Sequence, residues 1–483
     1  MIRPAVVINN LGFLVLIVGL AMLTCLPWSI AYKEPVTKGI LIAAVISIGS
    51  GLGLKYFFNT RAPINLKESF ALVGLGWIIV SIFGSFPFLF SGYLSFTDAF
   101  FETVSGFSTT GATVIEDVEV WPKGLMFWRC LTQWLGGMGI IILFIALIAG
   151  MGVKGNQLFV AELPGGSIQD KISPRIRETA QKLWKTYIVL SLACLILLLA
   201  FGMNLFDALC HTFTTLSTGG FSTRNTSIAY YSNPLIHWTI LIFMFLGGTS
   251  FSLHYLAFKN RNLLTYGKSP EFKLYVGIVL VASLIVVIGL SYSGSLLNWE
   301  EKIRTAIFQV VSIITTTGFV VDNYQTWSPT AAGIIFLLMF SGGCMGSTSG
   351  NIKIGRYLIL IHRSVNELKR MIHPKAVLPL RLGGRVINED RVSHIAQLFF
   401  IFLMLAAVGI MVLTMLGIDL STSLTAVVAC LGNVGPGFGL VGPDSNYSFM
   451  PDAAKYLLSI LMLIGRLEVF PLLLLLLPEY WKQ

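Results

Sequence analysis

The sequence predicts an all-α multi-span membrane protein: two leading spans, then four pseudo-symmetric units around one central pore. Three observations predict it. Charge is nearly absent over long stretches, one short polar-ended segment recurs four times, and the basic residues gather in separate connectors.

The spans come first. Of 483 residues, 55% are hydrophobic and 12% charged, against about 25% charged in an average soluble protein. Apolar runs cover Leu11–Tyr32, Gly39–Phe58, Phe70–Phe90, Leu125–Met151, Tyr187–Met203, Pro234–Phe258, Leu274–Tyr292, Ile395–Leu416 and Tyr456–Leu477. As helices they are long enough for roughly 30 Å of hydrocarbon. The first run follows Arg3 without a clear small-residue cleavage site, so it reads as a retained helix. The six cysteines are scattered, with neither metal-site nor redox spacing.

The net charge of +10 is concentrated. Lys154, Lys171, Arg175, Arg177, Lys182 and Lys185 share one connector, Lys259, Arg261, Lys268 and Lys273 a second. A third carries Arg356, Arg363, Lys369, Arg370, Lys375, Arg381, Arg385 and Arg391. The positive-inside rule places these connectors, and with them both termini, in the cytoplasm. No basic stretch is interleaved with base-stacking aromatics, so nucleic acid is not the expected partner. H-E-x-x-H, G-x-S-x-G and paired-aspartate signatures are missing, which argues against an enzyme.

The recurring segment organises the rest. "DAFFETVSGFSTTG" (Asp98–Gly111), "DALCHTFTTLSTGG" (Asp207–Gly220), "TAIFQVVSIITTTG" (Thr305–Gly318) and "TSLTAVVACLGNVG" (Thr422–Gly435) align without a gap, at a period of about 100 to 120 residues. Each is too short to span and lies between apolar runs. The expected units are 1–68 (two leading helices), 69–182, 183–271, 272–391 and 392–483. Asp98, Asp207, Glu300 or Glu301, and Ser421 or Thr422 are cap or first-turn residue types. Each segment therefore reads as a half-helix ending in a Ser/Thr/Gly tract. Irregular backbone at membrane depth must be buried in protein or line a cavity. Four such tracts meeting on an axis can replace a cation's hydration shell with carbonyls, and glycine permits the backbone geometry that aims them inward.

"FSTTGAT", "STGGFST", "TTTGF" and "GNVGPGFG" resemble the four filter loops of the bacterial potassium-uptake transporters of the Trk/Ktr superfamily. "QWLGGMGI" (Gln133–Ile140) and "SGGCMGSTSGNIKIGR" (Ser341–Arg356) are similar to its TrkH/TrkG branch, and the resemblance covers nearly the whole chain. It implies membrane–pore–membrane units, potassium uptake across the inner membrane, a homodimer, and a cytosolic nucleotide-binding regulatory subunit of TrkA type. It implies no covalently bound cofactor. Carried over by position, the ion-binding filter residues are Thr109, Thr110 and Gly111; Thr218, Gly219 and Gly220; Thr316, Thr317 and Gly318; and Asn433, Val434 and Gly435. A serine at the first filter glycine goes with sodium preference in related plant transporters, so four glycines imply potassium. The fourth loop departs from the pattern, with Asn433-Val434 for Thr-Thr and Pro436 after the glycine, which makes the fourfold symmetry approximate. A sodium-selective or sodium/proton-coupled member of the same superfamily is the alternative. A small-solute carrier of alternating access would show two inverted halves, where this sequence shows four like-oriented repeats.

Between Ala331 and about Leu360 a span is interrupted at Ser341–Gly350. Gly342, Gly343, Gly346 and Gly350, with Ser347, Thr348 and Ser349, make a continuous helix there unfavourable. The expected role is a movable gate below the filter, against a packing kink as the plainer reading. Lys353 follows without P-loop spacing and is expected at the cytoplasmic pore mouth. Arg466, inside the last apolar run, is expected to place its charge in the pore as a barrier; its alternative is a structural pairing with Glu468 or with carbonyls. Glu102, His211, Gln309 and Ala426 share one column of the repeat, expected to brace the loops. Arg129 is expected to snorkel at the membrane interface.

Overall fold

The computed structural model describes residues 2–60, 62–139, 176–292, 298–383 and 385–482. The basic residues Lys154, Lys171 and Arg175 and the second half of the Leu125–Met151 run lie outside them.

The two leading spans are Pro4–Ala31, which narrows to a 3₁₀ turn at Leu23–Cys25, and Thr37–Phe57. Their backbones approach closely because the contact is made of small residues. A Cβ on Gly12 would press on the Gly51 carbonyl at 2.9 Å, and one on Gly51 would return the contact to the Gly12 carbonyl at 2.7 Å. Without a water-driven hydrophobic force between spans, such close packing supplies the attraction.

Four times the chain then repeats one plan. A long helix leads in: Leu66–Phe90, Ile176–Ala200, Pro270–Tyr292 and Glu389–Met415. A short helix follows: Phe96–Phe107, Leu205–Leu216, Trp299–Ile314 and Leu420–Leu431. A loop carries the recurrent glycine, and another helix leads away. Each short helix starts in the same way. Ser95, Asn204, Asn298 and Asp419 accept the backbone N–H three residues on, from Asp98, Asp207, Glu301 and Thr422. Each cap contributes roughly 1 kcal/mol. Of the two expected places, cap or first turn, the acidic residues take the first turn, one cap residue ahead of them. The carboxylates of Asp98, Asp207 and Glu301 occupy the third helical position, where they favour the positive helix end.

Three apolar runs expected as single helices are broken. The departing helix Lys123–Gly137 reaches its last turn at Gly136-Gly137. The second departing helix breaks after Gly247 into Phe251–Asn260, bent by 98°. The fourth, Asp452–Arg466, gives way to Phe470–Leu476 at Glu468 and Val469, whose φ values are +54° and +76°. Val469 sits in a γ-turn closed by the Phe470 N–H on the Glu468 carbonyl at 2.9 Å, a strained conformation for a β-branched residue. The third break, expected at Ser341–Gly350, is the longest. Pro329–Leu338 ends, Ser341–Gly342 pairs in parallel with Ile352–Lys353, and the chain resumes as Ile354–Ile372.

Three of the breaks share a contact. Gly136, Gly247 and Gly465 each press against the carbonyl of the last residue of their own repeat's short helix, Phe107, Leu216 and Leu431. A side chain there would push the departing helix off its partner. The glycine doublets Gly136-Gly137, Gly247-Gly248 and Gly342-Gly343 are one column of the repeat, and the fourth copy reads Gly465-Arg466.

Candidate functional site

The four loops after the short helices have one backbone design. Each helix closes with paired bonds of the Schellman type. In the first, Thr109 N–H donates to the Gly106 carbonyl at 3.0 Å and Thr110 N–H to Ser105 at 2.9 Å. The same pair recurs from Thr218 and Gly219, Thr316 and Thr317, and Asn433 and Val434. The motif demands a left-handed residue, and Thr109, Thr218, Thr316 and Asn433 adopt φ of +55°, +54°, +56° and +55°. Glycine or asparagine is usual there. A threonine costs on the order of 1–3 kcal/mol, so three loops hold strain. Two residues on, Gly111, Gly220, Gly318 and Gly435 return to positive φ, at +83°, +79°, +79° and +97°. Alternating handedness turns successive N–H groups to one side and the carbonyls to the other.

The loops meet in a ring. A Cβ on Gly111 would strike the Gly219 carbonyl oxygen, one on Gly220 the Thr317 oxygen, and one on Gly318 the Val434 oxygen. One on Gly435 would stand 2.6 Å from the Thr110 oxygen. Each loop hands on to the next, and the cycle closes after four. All twelve expected filter residues lie on this ring. The glycines are required twice over, by positive φ and by the neighbouring carbonyl. Above them opens a cavity of about 150 Å³ bounded by the four glycines and by Glu116, Arg224, Asp444 and Tyr447. Tyr447 closes part of the wall by donating its hydroxyl to the Gly435 carbonyl at 2.8 Å.

The column Glu102, His211 and Gln309 braces the chain just past each glycine. Glu102 accepts from Val114 N–H and from the Thr113 hydroxyl, both at 3.0 Å. His211 Nε2 meets Ser222 Oγ at 3.0 Å, and Gln309 Nε2 reaches the Phe319 carbonyl at 3.4 Å. Ala426 cannot do this, and its neighbour Thr425 instead donates to the Phe438 carbonyl at 2.8 Å. Arg129 does not snorkel. It is 2% exposed, its Nε donates to Glu102 at 2.5 Å, and its guanidinium lies 3.4 Å over the Phe221 ring. Its helix faces the loops, so the charge turned inward to meet a buried carboxylate that is itself committed to the first loop.

On the side of the ring away from the cavity lies the Gly-rich segment. Gly350 N–H donates to Thr316 Oγ1 at 2.7 Å, and Thr348 Oγ1 donates to the Leu216 and Gly247 carbonyls, both at 3.0 Å. Gly342 packs on the Gly350 backbone, Gly343 N–H donates to Ser349 Oγ at 3.0 Å, and Ser347 shares a 2.7 Å hydroxyl contact with Ser349. Gly346, at φ +75°, makes the exposed turn. Glu271 clasps both ends, with Oε1 accepting from Met345 N–H at 2.6 Å and Gly355 N–H at 2.9 Å. Lys353 is buried rather than at a mouth, its ammonium against the Ser349 carbonyl.

Arg466 is held by carbonyls rather than loose in a lumen. Nη1 donates to Thr348 O at 2.6 Å, and Nη2 to Gly136 O at 2.7 Å and Gly137 O at 2.6 Å. It joins the Gly-rich segment to the negative end of the Lys123–Gly137 helix, a favourable place for a cation. Glu468 turns away to Arg356. Gln133, Glu271 and the glycine-doublet column were not singled out in the sequence. The doublets were visible as a second recurrence; the two side chains act across repeats, where periodicity gives no signal.

This arrangement has close relatives. The TrkH family, described as cation transport protein, matches residues 37–482. The chain is 38% identical over 429 residues to the Trk system potassium uptake protein TrkH of Escherichia coli K12, covering 88% of each. It is 36% identical to the TrkH of Halomonas elongata, covering 99% of each. The crystal structure of the potassium transporter TrkH from Vibrio parahaemolyticus superposes with a TM-score of 0.89 at 32% identity, covering 100% of both chains. The chain belongs to the TrkH family of cation transport proteins.

Proposed function

We propose that the ring is a potassium filter and that the chain carries potassium inward across the bacterial inner membrane. The carrying observation is the closed cycle in which each glycine abuts the next loop's carbonyl. Backbone oxygens fixed by strained loops can replace a hydration shell without reorganising. An inside-negative potential favours entry by roughly 2.3 kcal/mol per charge per 100 mV. The Gly-rich segment and Arg466 form the gate, a reading supported by the bonds of Arg466 to the Thr348, Gly136 and Gly137 carbonyls. The basic connectors face the cytoplasm, where a TrkA-type regulatory ring and a second copy of the chain complete the assembly. Sodium selectivity is disfavoured by glycine at all four positions.

The test is Gly318→Ser in liposomes holding the purified full chain. A side chain there meets the Val434 carbonyl and Pro436, so potassium over sodium discrimination should fall at least fivefold. Unchanged discrimination in a folded protein would exclude the ring as the selective element.

A further inference from the structure

The second loop breaks the pattern of the ring in one place. Where the first and third loops have Thr110 and Thr317, it has Gly219. In those loops the threonine hydroxyl meets the hydroxyl two residues earlier, Thr110 on Ser108 and Thr317 on Thr315, both at 2.7 Å. In the second loop that space is filled from outside. Gln133, wholly buried on the Lys123–Gly137 helix, donates Nε2 to the Gly219 carbonyl at 2.6 Å and accepts Phe221 N–H on Oε1 at 3.1 Å. The Phe221 donor fixes which way the amide points. A Cβ at position 219 would collide with Gln133. Among the described residues, the corresponding carbonyls of Thr110, Thr317 and Val434 accept no side-chain hydrogen bond.

We infer that Gln133 is a specificity-determining positioning residue for the ring. It stands in for the missing threonine and ties one of the four ring carbonyls to a rigid helix. It also draws electron density from that oxygen, so the ring is three free carbonyls plus one restrained and weakened. Such a ring favours the weakly hydrated potassium ion over sodium only while the second loop holds its radius. Removing the amide releases the oxygen, leaves Phe221 N–H unpaired, and lets the loop collapse toward a smaller ion. The inference rests on the filter reading above.

The experiment measures potassium and sodium flux into liposomes for the full-length chain carrying Gln133→Leu, Gly219→Thr, or Gln133→Ala with Gly219→Thr, beside Gly318→Ser. Gln133→Leu keeps the volume and loses both bonds; it should lower the potassium-to-sodium flux ratio at least threefold while potassium flux persists. Gly219→Thr should lower it at least as far, because the new side chain meets Gln133. The double variant should recover at least half of the loss, since the new threonine finds Ser217 as Thr110 finds Ser108. A wild-type ratio in Gln133→Leu, with Gly318→Ser altered, refutes the inference and leaves the filter intact. No change in either variant removes both. Where Gln133→Leu does not fold, a double variant no more selective than Gly219→Thr alone refutes the inference.

Discussion

Replacing Arg466 by Ala tests whether that residue restrains the Gly-rich segment. Its guanidinium bonds the Gly136 and Gly137 carbonyls at the Lys123–Gly137 helix end and, through Nη1, the Thr348 carbonyl. The Thr348 bond is the one through which Arg466 restrains the segment, beside the segment's own bonds to Thr316, Leu216, Gly247 and Glu271. A hydrogen bond to a charged donor contributes about 1.5–3 kcal/mol. Its loss therefore multiplies the open-to-closed ratio by about 10 to 150. The assay is potassium efflux from liposomes under an imposed potential, with Arg466→Ala and Arg466→Lys compared at equal protein. Alanine should raise efflux until opening saturates. Lysine keeps the charge but cannot fork between Thr348 and the two glycine carbonyls, so its rate should fall between wild type and alanine. If lysine restores the wild-type rate in full, charge alone forms the barrier and the tether is refuted. If alanine lowers efflux in a folded protein, both ideas fail.

Glu271→Ala frees Met345 and Gly355 N–H together and should also raise efflux, whereas Glu271→Gln, which keeps an acceptor oxygen, should have a smaller effect; equal rates for the two would show that the clasp plays no part. Arg129→Leu strands the Glu102 carboxylate in the interior, a loss of about 3–5 kcal/mol, and should sharply lower the midpoint of thermal unfolding. Adding Glu102→Gln should return most of it, because the amide oxygen still accepts from Val114 N–H; a double variant as unstable as the single would mean that the pair is not the cause. The Gly318→Ser and Gln133 variants complete the set.

The repeated plan was legible because it is written in one dimension. Gly111, Gly220, Gly318 and Gly435 recur at a regular spacing, and their required φ is a local property. The column Glu102, His211 and Gln309 was legible for the same reason, each side chain folding back on its own loop. Helix breaks were harder. Pro234–Phe258 has the hydropathy of a single span, and the backbone freed where it bends is met from the third repeat, Cys344 N–H donating to the Gly248 carbonyl and Thr348 N–H to the Gly247 carbonyl. Arg129 was misplaced, and for Arg466 the carbonyl pairing stood only as an alternative, because hydropathy locates a charge by depth, not by direction. Each points across the bundle to a partner on another segment, Glu102 for one and the Thr348 carbonyl for the other.

The departures from fourfold symmetry converge in space. The third repeat inserts the Gly-rich segment, the fourth replaces the second glycine of the doublet with Arg466, and the first keeps Gly136-Gly137 at a helix end. Arg466 bonds the first repeat's carbonyls and the third repeat's Thr348, while Thr348 Oγ1 bonds the second repeat's Leu216 and Gly247. The ring is repeated fourfold, and beneath it one segment and one cation link the repeats to one another. The same Thr316 hydroxyl that belongs to a strained ring loop accepts from Gly350, so movement of the segment is felt by the ring. A variant that loosens the segment, such as Arg466→Ala, should therefore change potassium over sodium discrimination slightly as well as rate. Thr316→Val, which removes the shared hydroxyl, should abolish that second effect while leaving the first. Discrimination that still follows the segment in Thr316→Val would place the coupling elsewhere.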